Sequence, residues 1–254
     1  MTHDPAPRLW DRHRLNDPHH QADKADRVRR MFAAIAPSYD LNNRVHSLWQ
    51  DQAWRRAAVA AAAPRPTDVV LDIACGTGDL AMAFARAGVQ QVTGVDFTFD
   101  MLSIARKKLA AAGRDAPPLQ YHAGDAMRLP FADASADIVS IAFGIRNVAE
   151  PTVALREFAR VLRPGGRLVI LEFAMPANRL LRRLYQTYFH HVLPRTAALI
   201  ARDRSGAYAY LPKSVSTFIA PSTMLELIAG AGFEDVSARR LTFGIAVVYR
   251  GVRL

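Results

Sequence analysis

The sequence lacks the features that would place it in an oxidising compartment or inside a membrane. Its 254 residues include one cysteine, Cys75, so no disulfide framework can form, which fits a reducing cytosol. No apolar run approaches the roughly 20 residues that a membrane-spanning helix needs. The polar start, with Asp4, Pro5 and Pro7, does not resemble a signal peptide. These absences favour a cytoplasmic protein.

Acidic residues are fewer than basic ones. Lys and Arg total 33 against 23 for Asp and Glu, which gives a formal net charge of +10. Such an excess favours polyanionic partners, either nucleic acid or the anionic face of a membrane. Hydrophobic residues make up 50% of the chain, which is enough to build a substantial core.

The chain is organised around the stretch 69–79, where an apolar run is followed by an acid and two glycines. The run predicts a strand buried in a parallel sheet. Gly76 and Gly78 permit a sharp turn and the close approach of a ligand, and Asp79 is predicted to cap the helix that follows. The next strand ends at Asp96, about twenty residues after the turn, a distance typical of an acid that binds ribose hydroxyls.

The glycine turn alone is ambiguous, because 76–81 also fits the dinucleotide fingerprint G-x-G-x-x-A. Asp72 argues against a dinucleotide, since its carboxylate would repel a pyrophosphate and suits a positively charged ligand such as the amino group of S-adenosylmethionine. The stretch resembles motif I of the Rossmann-like methyltransferases, and Asp96 resembles their ribose-binding acid. Asp72, Gly76, Thr77, Gly78 and Asp96 are therefore expected to bind this cofactor. A structural turn without a ligand is the alternative.

The rest of the pattern alternates strands with helices. Strands are predicted at 68–74, 91–95, 118–123, 138–143, 167–173, 233–240 and 241–250. The alternation predicts a doubly wound sheet with right-handed crossovers, and the last two strands are expected to form a hairpin at its edge. The fold class is α/β: a Rossmann-like, seven-stranded, mostly parallel sheet with an antiparallel C-terminal edge strand.

Helical segments are expected to decorate this sheet. Residues 1–26 are polar and without period, which predicts a poorly ordered leader. The remainder, 27–254, is predicted to be a single domain. Its N-terminal helical cap is 27–63, and a basic helical insertion after strand five is 176–212.

Polar residues follow the third and fourth strands and should meet the glycine turn at one crevice. Asp125 is placed to accept a hydrogen bond from the exocyclic amine of adenine, with the backbone at Ala126 near a ring nitrogen. A loop cap is the alternative for Asp125. The turn 143–147 lacks the Asn/Asp-Pro-Pro-aromatic string of enzymes that methylate amino groups of bases. Its arginine and amide suit an anionic or phenolic oxygen, so no nucleic-acid partner is expected.

Several longer strings carry a more specific resemblance. They are Tyr39-Asp40 with Asn43, Ser47 and Trp54, the segment 131–137, the turn Gly144-Ile145-Arg146-Asn147, the segment 160–166, and Leu171-Glu172-Phe173. Together they resemble the ubiquinone/menaquinone biosynthesis C-methyltransferase family over about 27–252. The sequence departs from the family's usual residues at Asn42, Asp51, Ala142 and Ala174.

This resemblance implies S-adenosylmethionine-dependent C-methylation of a polyprenylated hydroquinone, with demethylmenaquinol as the expected substrate. The alternatives are 2-polyprenyl-6-methoxy-1,4-benzoquinol of the ubiquinone pathway and, more remotely, a small-molecule or nucleic-acid acceptor. A non-catalytic cofactor-binding module is a third class. No metal site is expected.

The chemistry requires a ring carbon made nucleophilic by ionisation of a neighbouring hydroxyl. Arg146 is expected to stabilise the phenolate but cannot be the base, because guanidinium stays protonated. Candidates for the base are Asp40, His122, or a water held by Tyr39, Asn43 and Asn147. The alternative for Arg146 is a structural ion pair with Glu150 or Glu172.

The segment 176–204 interleaves arginines with Leu, Tyr and Phe. This pattern predicts either an interfacial helix in contact with an anionic membrane or a cover helix with a solvated basic face. The expected location is the cytoplasm, with peripheral contact at the inner face of the cell membrane. A homo-oligomer is compatible with the sequence.

Overall fold

The computed structural model describes residues 9–11, 13–113, 118–193, 195, 196 and 206–254. A seven-stranded sheet forms its centre. The strands are β1 Val69–Ile73, β2 Gln91–Asp96, β3 Leu119–Ala123, β4 Ala136–Ala142, β5 Leu162–Phe173, β6 Phe233–Leu241 and β7 Ala246–Arg253. Their order across the sheet is β3-β2-β1-β4-β5-β7-β6. β1 to β5 pair in parallel, and β7 pairs antiparallel with both β5 and β6. The predicted fold class and terminal hairpin are confirmed.

Helices pack around the sheet. They are α1 Lys24–Ile35, α2 Tyr39–Ser47, α3 Gln50–Ala62, α4 Asp79–Arg86, α5 Phe99–Ala110, α6 Pro151–Val161, α7 Arg179–Thr187, α8 Ala207–Ser216 and α9 Pro221–Gly230. One apolar cluster joins α6 and α9 to the sheet, and a second joins α3, α4 and α5 to it. The strand order reverses between β1 and β4, which places a ligand crevice beyond their carboxyl ends.

Strand β5 begins five residues earlier than expected. The register steps from Ala136 opposite Leu162 to Ile138 opposite Arg167, so the intervening residues bulge out of the ladder. Gly165 has a φ of +75° within this bulge, a conformation that glycine adopts without strain. The Pro-Gly-Gly string therefore interrupts the pairing without ending the strand.

Residues 1–26 were expected to form a poorly ordered leader, but the described part of this stretch packs on the rest of the chain. Trp10 is buried and stacks on Tyr210 of α8 with ring centroids 4.3 Å apart. Lys24 opens α1 three residues before the predicted cap, and its ammonium donates to the carbonyl of Val148 at 2.6 Å. Burial of an aromatic side chain of this size favours an ordered segment. Residues 1–8 and 12 lie outside the described residues.

The insertion after β5 is helical where the structure describes it. The side chain of Asn178 caps α7 by accepting from the backbone N–H groups of Leu180 and Leu181. A π-helical turn, Tyr188–Val192, continues it, and α8 extends beyond the predicted limit to Ser216. No helix in the described part of the chain is long and apolar enough to cross a bilayer.

Candidate active site

Two cavities lie beyond the carboxyl ends of the parallel strands, each defined by the described residues that line it. The smaller lies over the ends of β1 to β4. The larger has a volume of about 480 Å³ and lies between the helical cap, α7, α8 and the β6–β7 turn. Phe32 and Tyr39 line both cavities and form the wall between them.

The smaller cavity has the chemistry of a nucleoside site. Four predicted cofactor residues line it: Gly76, Asp96, Asp125 and Ala126. The carboxylate of Asp96 accepts from the backbone N–H of Gly76 and of Thr98, each at 2.8 Å. Burial raises the pKa of Asp96, and these bonds oppose the rise. Asp96 is thus held in place at the cavity wall by the glycine turn.

Asp125 combines the two roles considered for it. One of its carboxylate oxygens accepts from the backbone N–H of Met127 at 2.9 Å, which is the loop cap. The residue also lines the smaller cavity beside Ala126. Capping engages one oxygen, so the second is free to accept from a ligand.

The other predicted cofactor residues do not line this cavity. Asp72 is buried and accepts from the hydroxyl of Ser140 at 2.7 Å, and burial raises its pKa to about 7. Thr77 donates its hydroxyl to Asp40 at 2.6 Å. Gly78 has a φ of +85°, and a Cβ on it would lie 2.2 Å from the hydroxyl of Tyr121. All three residues are buried, and they contact other parts of the protein instead of the cavity.

Helix α2 separates the predicted catalytic residues onto two faces. Tyr39 and Asn43 are one turn apart and line the larger cavity, and His46 continues the same stripe. Asp40 lies on another face, where it accepts from Thr77 and from the ammonium of Lys108 at 2.9 Å. Asp40 therefore links α2 to the glycine turn and to α5 and lies away from both cavities. Neither Asp40 nor Asn43 is a helix cap.

Burial also raises the pKa of Tyr39, and the nearby charge of Arg55 and a hydrogen bond with Asn43 oppose this rise. Its hydroxyl is therefore a neutral donor at the wall between the cavities. His122, the other candidate base, is exposed on β3 and lines neither cavity.

Arg146 reaches the larger cavity from the 3₁₀ turn Ile145–Asn147 after β4. Its Nη1 donates to a carboxylate oxygen of Glu172 and to the carbonyl of Phe143, each at 2.6 Å. Nη2 has no hydrogen bond to any residue that the structure describes. Arg146 and Glu172 are 5% and 1% exposed, so the ion pair is buried. The predicted structural pairing is present, and the guanidinium retains donors for a ligand.

Asn147 faces the other cavity. It lines the smaller one, donates to the carbonyl of Phe143 at 3.2 Å and accepts from the hydroxyl of Tyr210 at 3.0 Å. The adjacent residues Arg146 and Asn147 thus serve different cavities, because the tight 3₁₀ turn directs successive side chains apart.

Among the polar residues of the larger cavity that sequence reasoning did not single out, Arg55 and His46 matter most for its chemistry. Arg55 on α3 is buried, donates to Asp51 at 2.9 Å and lies 5.5 Å from the ring centroid of Phe143. The i, i+4 spacing of Asp51 and Arg55 was a usable signal. The position of His46 on the cavity could not be predicted, because the sequence alone did not show which residues of α2 share a face.

The tautomer of His46 follows from its contacts with Tyr188. The Tyr188 hydroxyl lies 3.1 Å from Nδ1 of His46 and 3.3 Å from the His46 carbonyl oxygen. The Tyr188 hydroxyl has one proton, and it donates that proton to the carbonyl oxygen. The second contact then requires Nδ1–H of His46 to donate to the hydroxyl oxygen. Nε2 then carries the lone pair, and it is buried without a partner among the described residues. Burial lowers the pKa of His46, which favours the neutral imidazole.

The residues that the structure describes include no group of three His, Cys, Asp or Glu side chains placed to hold a metal ion. The Cys75 thiol lies inside the glycine turn, and burial raises its pKa well above the usual range. A thiol in this state is a poor nucleophile.

The sheet order, the acidic strand ends and the adjoining cavity define a Rossmann-like methyltransferase. Solved structures show the same fold: an S-adenosylmethionine-dependent methyltransferase from Thermotoga maritima superposes with a TM-score of 0.62 at 21% identity, covering 89% of this chain and 100% of that one. A Haemonchus contortus phosphoethanolamine N-methyltransferase gives 0.57 at 18% identity, covering 81% of this chain and 52% of that one.

The model of the ubiE/COQ5 methyltransferase family matches residues 20–253. The chain is 48% identical to the demethylmenaquinone methyltransferase of Deinococcus radiodurans, over 90% of this chain and 93% of that protein. It is 42% identical to the ubiquinone/menaquinone biosynthesis C-methyltransferase UbiE of Roseobacter denitrificans, over 92% and 93%. The chain belongs to the ubiE/COQ5 methyltransferase family, as its motifs indicated, and S-adenosyl-L-methionine is its methyl donor.

Proposed function

We propose that this enzyme methylates a ring carbon of a polyprenylated hydroquinone, with demethylmenaquinol as its substrate. The larger cavity carries the proposal. Its wall is formed mainly by aromatic and aliphatic side chains, and the buried cations Arg55 and Arg146 lie on it. Such a site suits an apolar molecule that bears an oxygen able to become anionic. The names of the Deinococcus and Thermus thermophilus relatives, the latter 46% identical, point to the same substrate.

The smaller cavity fits S-adenosylmethionine. Gly76 lines this cavity with a φ of +56°, which glycine adopts without strain, and it places no side chain in the space. Asp96 is held where ribose hydroxyls would lie, and Asp125 with Ala126 where an adenine would lie. When bound, this cofactor supplies an electrophilic methyl group on a sulfonium. The chain's contribution is to bring the methyl group and the ring carbon together where the two cavities adjoin beside Phe32 and Tyr39, which is catalysis by positioning.

Arg146 would stabilise the developing phenolate. The bond from its Nη1 to Glu172 fixes the orientation of the guanidinium, and Nη2 has no partner among the described residues. A preorientated donor in an apolar cavity interacts more strongly with the charge that develops during reaction than with the neutral hydroxyl.

His46 is the proton acceptor that we propose. Its Nε2 carries a lone pair because Tyr188 engages Nδ1–H, and the ring lies on the stripe of α2 that faces the cavity. A neutral imidazole can take the quinol proton as negative charge passes to the oxygen near Arg146. A water held by Tyr39 and Asn43 is the competing acceptor.

The decisive experiment is methyl transfer from S-adenosylmethionine to reduced quinone analogues, followed by mass spectrometry. Addition of one methyl group to a demethylnaphthoquinol supports the proposal. The ubiquinone-pathway 2-polyprenyl-6-methoxy-1,4-benzoquinol is the second candidate, favoured by the name of the Roseobacter relative. A higher kcat/KM on that quinol would establish the second candidate instead, and turnover on neither would refute both.

We also propose that the enzyme works at the cytoplasmic face of the cell membrane, because the tail of its substrate lies in the bilayer. The described part of the basic segment 176–204 supports this. Arg179, Arg182 and Arg183 on α7 are all exposed. Arg202 and Arg204 lie outside the described residues.

A further inference from the structure

Large apolar side chains surround the mouth of the larger cavity. Leu48, Leu184 and Phe243 are 79%, 60% and 80% exposed, and all three also line that cavity. A residue that is exposed and lines a cavity must lie at its entrance. Trp49 follows Leu48 in the chain, and Leu180 lies one turn before Leu184 on α7. Both are also exposed. We call these five residues the apolar rim.

Two strained turns hold part of the rim away from the core. Leu48 and Trp49 have φ values of +51° and +61°, and Thr242 and Phe243 have +44° and +57°. Non-glycine residues rarely adopt this conformation, which persists only where surrounding contacts enforce it.

A polar contact joins the two turns. The indole N–H of Trp54 donates to the hydroxyl of Thr242 at 2.8 Å, and that hydroxyl lies 3.5 Å from the side-chain oxygen of Gln50. The α2–α3 turn and the β6–β7 turn are therefore neighbours and present their apolar side chains at the same entrance.

Positive charge accompanies the third part of the rim. On α7, Leu180 and Leu184 alternate with Arg179 and Arg183, and all four are exposed. The opposite face of α7 is anchored, because Tyr185 is buried and its ring lies 4.2 Å from that of Phe189. The helix therefore shows a fixed surface on which cations flank apolar groups, a pattern typical of helices at a bilayer interface.

We propose that the apolar rim docks on an anionic lipid bilayer, with Leu48, Trp49 and Phe243 inserted among the acyl chains and the α7 arginines at the headgroups. The cavity mouth then opens into the hydrocarbon, so a lipid-soluble acceptor enters without crossing water. The nature of that acceptor rests on the proposed function, whereas docking itself requires neither substrate nor cofactor. Charge complementarity favours a bilayer over a second copy of this chain, because two such basic surfaces would repel each other.

The native tryptophans provide a direct test. Of the three in the chain, Trp10 and Trp54 are buried and Trp49 is 60% exposed. Titration with phosphatidylglycerol/phosphatidylcholine vesicles should shift the emission to shorter wavelength, and Trp49→Phe should abolish the shift. The shift should diminish as the salt concentration rises. Pure phosphatidylcholine should produce little of it; an equal shift there would overturn the anionic part of the proposal.

Matched double variants separate the rim from general surface effects. Leu180→Ser with Arg183→Glu alters α7 and touches neither cavity, and Val153→Ser with Arg156→Glu makes the same changes at the same spacing on the exposed face of α6. The α7 variant should weaken vesicle binding about tenfold or more in sedimentation, and the α6 variant should leave it unchanged. Equal effects, or no binding by the native protein, would refute docking.

Two further results complete the test. A wavelength shift that appears without vesicles and grows with protein concentration would show that a second copy covers the rim, which overturns the proposal. With a short-chain soluble quinol, the α7 variant should keep native turnover, whereas its turnover on a long-chain quinol in vesicles should fall. Failure on both quinols by the native enzyme would count against the proposed function and leave vesicle binding to decide the docking.

Discussion

Replacement of Arg146 by Met should separate its structural role from its chemical one. The change removes the cation and leaves Glu172, which is 1% exposed, without its ionic partner. Breaking a buried pair from one side costs about 3–5 kcal/mol. For a chain of this size each kcal/mol lowers Tm by about 2–4 °C, so we expect a fall of roughly 6–20 °C.

The double variant Arg146→Met with Glu172→Gln should recover most of this stability. The Gln oxygen can still accept from the backbone N–H of Phe173, which donates to Glu172 at 2.8 Å in the native protein. Replacement of a whole buried pair by neutral side chains is often close to neutral in stability. Methyl transfer should nevertheless stay about 10²–10³-fold below native, since the guanidinium proposed to stabilise the phenolate is gone.

The assays are thermal unfolding, cofactor titration and single-turnover methyl transfer on each variant. Glu172→Gln alone is the control, because it retains the guanidinium and tests whether loss of the carboxylate matters by itself. Cofactor affinity should be native in all three variants, since Arg146 lines only the larger cavity. Recovery of native turnover in the stabilised double variant would refute a chemical role for Arg146.

Three other predictions concern single side chains. Asp96→Ala should weaken S-adenosylmethionine binding by about tenfold or more in calorimetry, and native affinity would contradict the ribose assignment. Burial raises the pKa of Asp72 from 3.8 to about 7, so its ionisation destabilises the fold progressively as the pH rises across that interval. The free energy of unfolding of Asp72→Asn, measured with denaturant and compared with that of the native protein, should therefore rise by roughly 3 kcal/mol between pH 5 and pH 8. A difference that does not depend on pH would contradict the shift. His46→Gln should lower kcat/KM by about 10²-fold and abolish the acidic limb of the pH profile of kcat/KM. In the native enzyme the midpoint of this limb should lie below pH 6.5, because burial lowers the pKa of His46. An unchanged acidic limb in the variant would exclude His46 as the base.

The sheet was predictable because its signals are local. The run that ends at Asp72 and the two glycines after it define a strand and turn by themselves, and parallel strands with helical crossovers leave few arrangements. The same logic placed Asp96 and Asp125 at one cavity. Glu172 was one of two carboxylates, with Glu150, considered as a partner of Arg146; the pairing of β4 with β5 brings Glu172 and not Glu150 to it.

The larger cavity was not predictable in the same way. Its wall combines α1, α2, α3, α7, α8 and the β6–β7 turn, and no local pattern indicates how these elements meet. Pro37 lies just before α2, and the helical phase of the residues that follow it was not assigned from the sequence. That phase puts Tyr39 and Asn43 on the cavity and turns Asp40 toward Lys108. Trp10 was missed because a single aromatic residue in a polar segment gives no periodic signal.

The wall formed by Phe32 and Tyr39 has a consequence for how such an enzyme can diverge. In the arrangement we propose, the methyl donor lies at the ends of β1 to β4, which cannot change without disturbing the sheet, while the acceptor is enclosed by elements attached around it. Acceptor preference can therefore be altered by substitutions in the cap, the insertion or the last turn, with the donor site left intact. Phe32 and Tyr39 are the exception, because these two rings line both cavities and a change that suits a new acceptor also changes the smaller cavity. Directed evolution toward another acceptor should accordingly tolerate variation across the larger cavity and encounter its strongest constraint at those two positions.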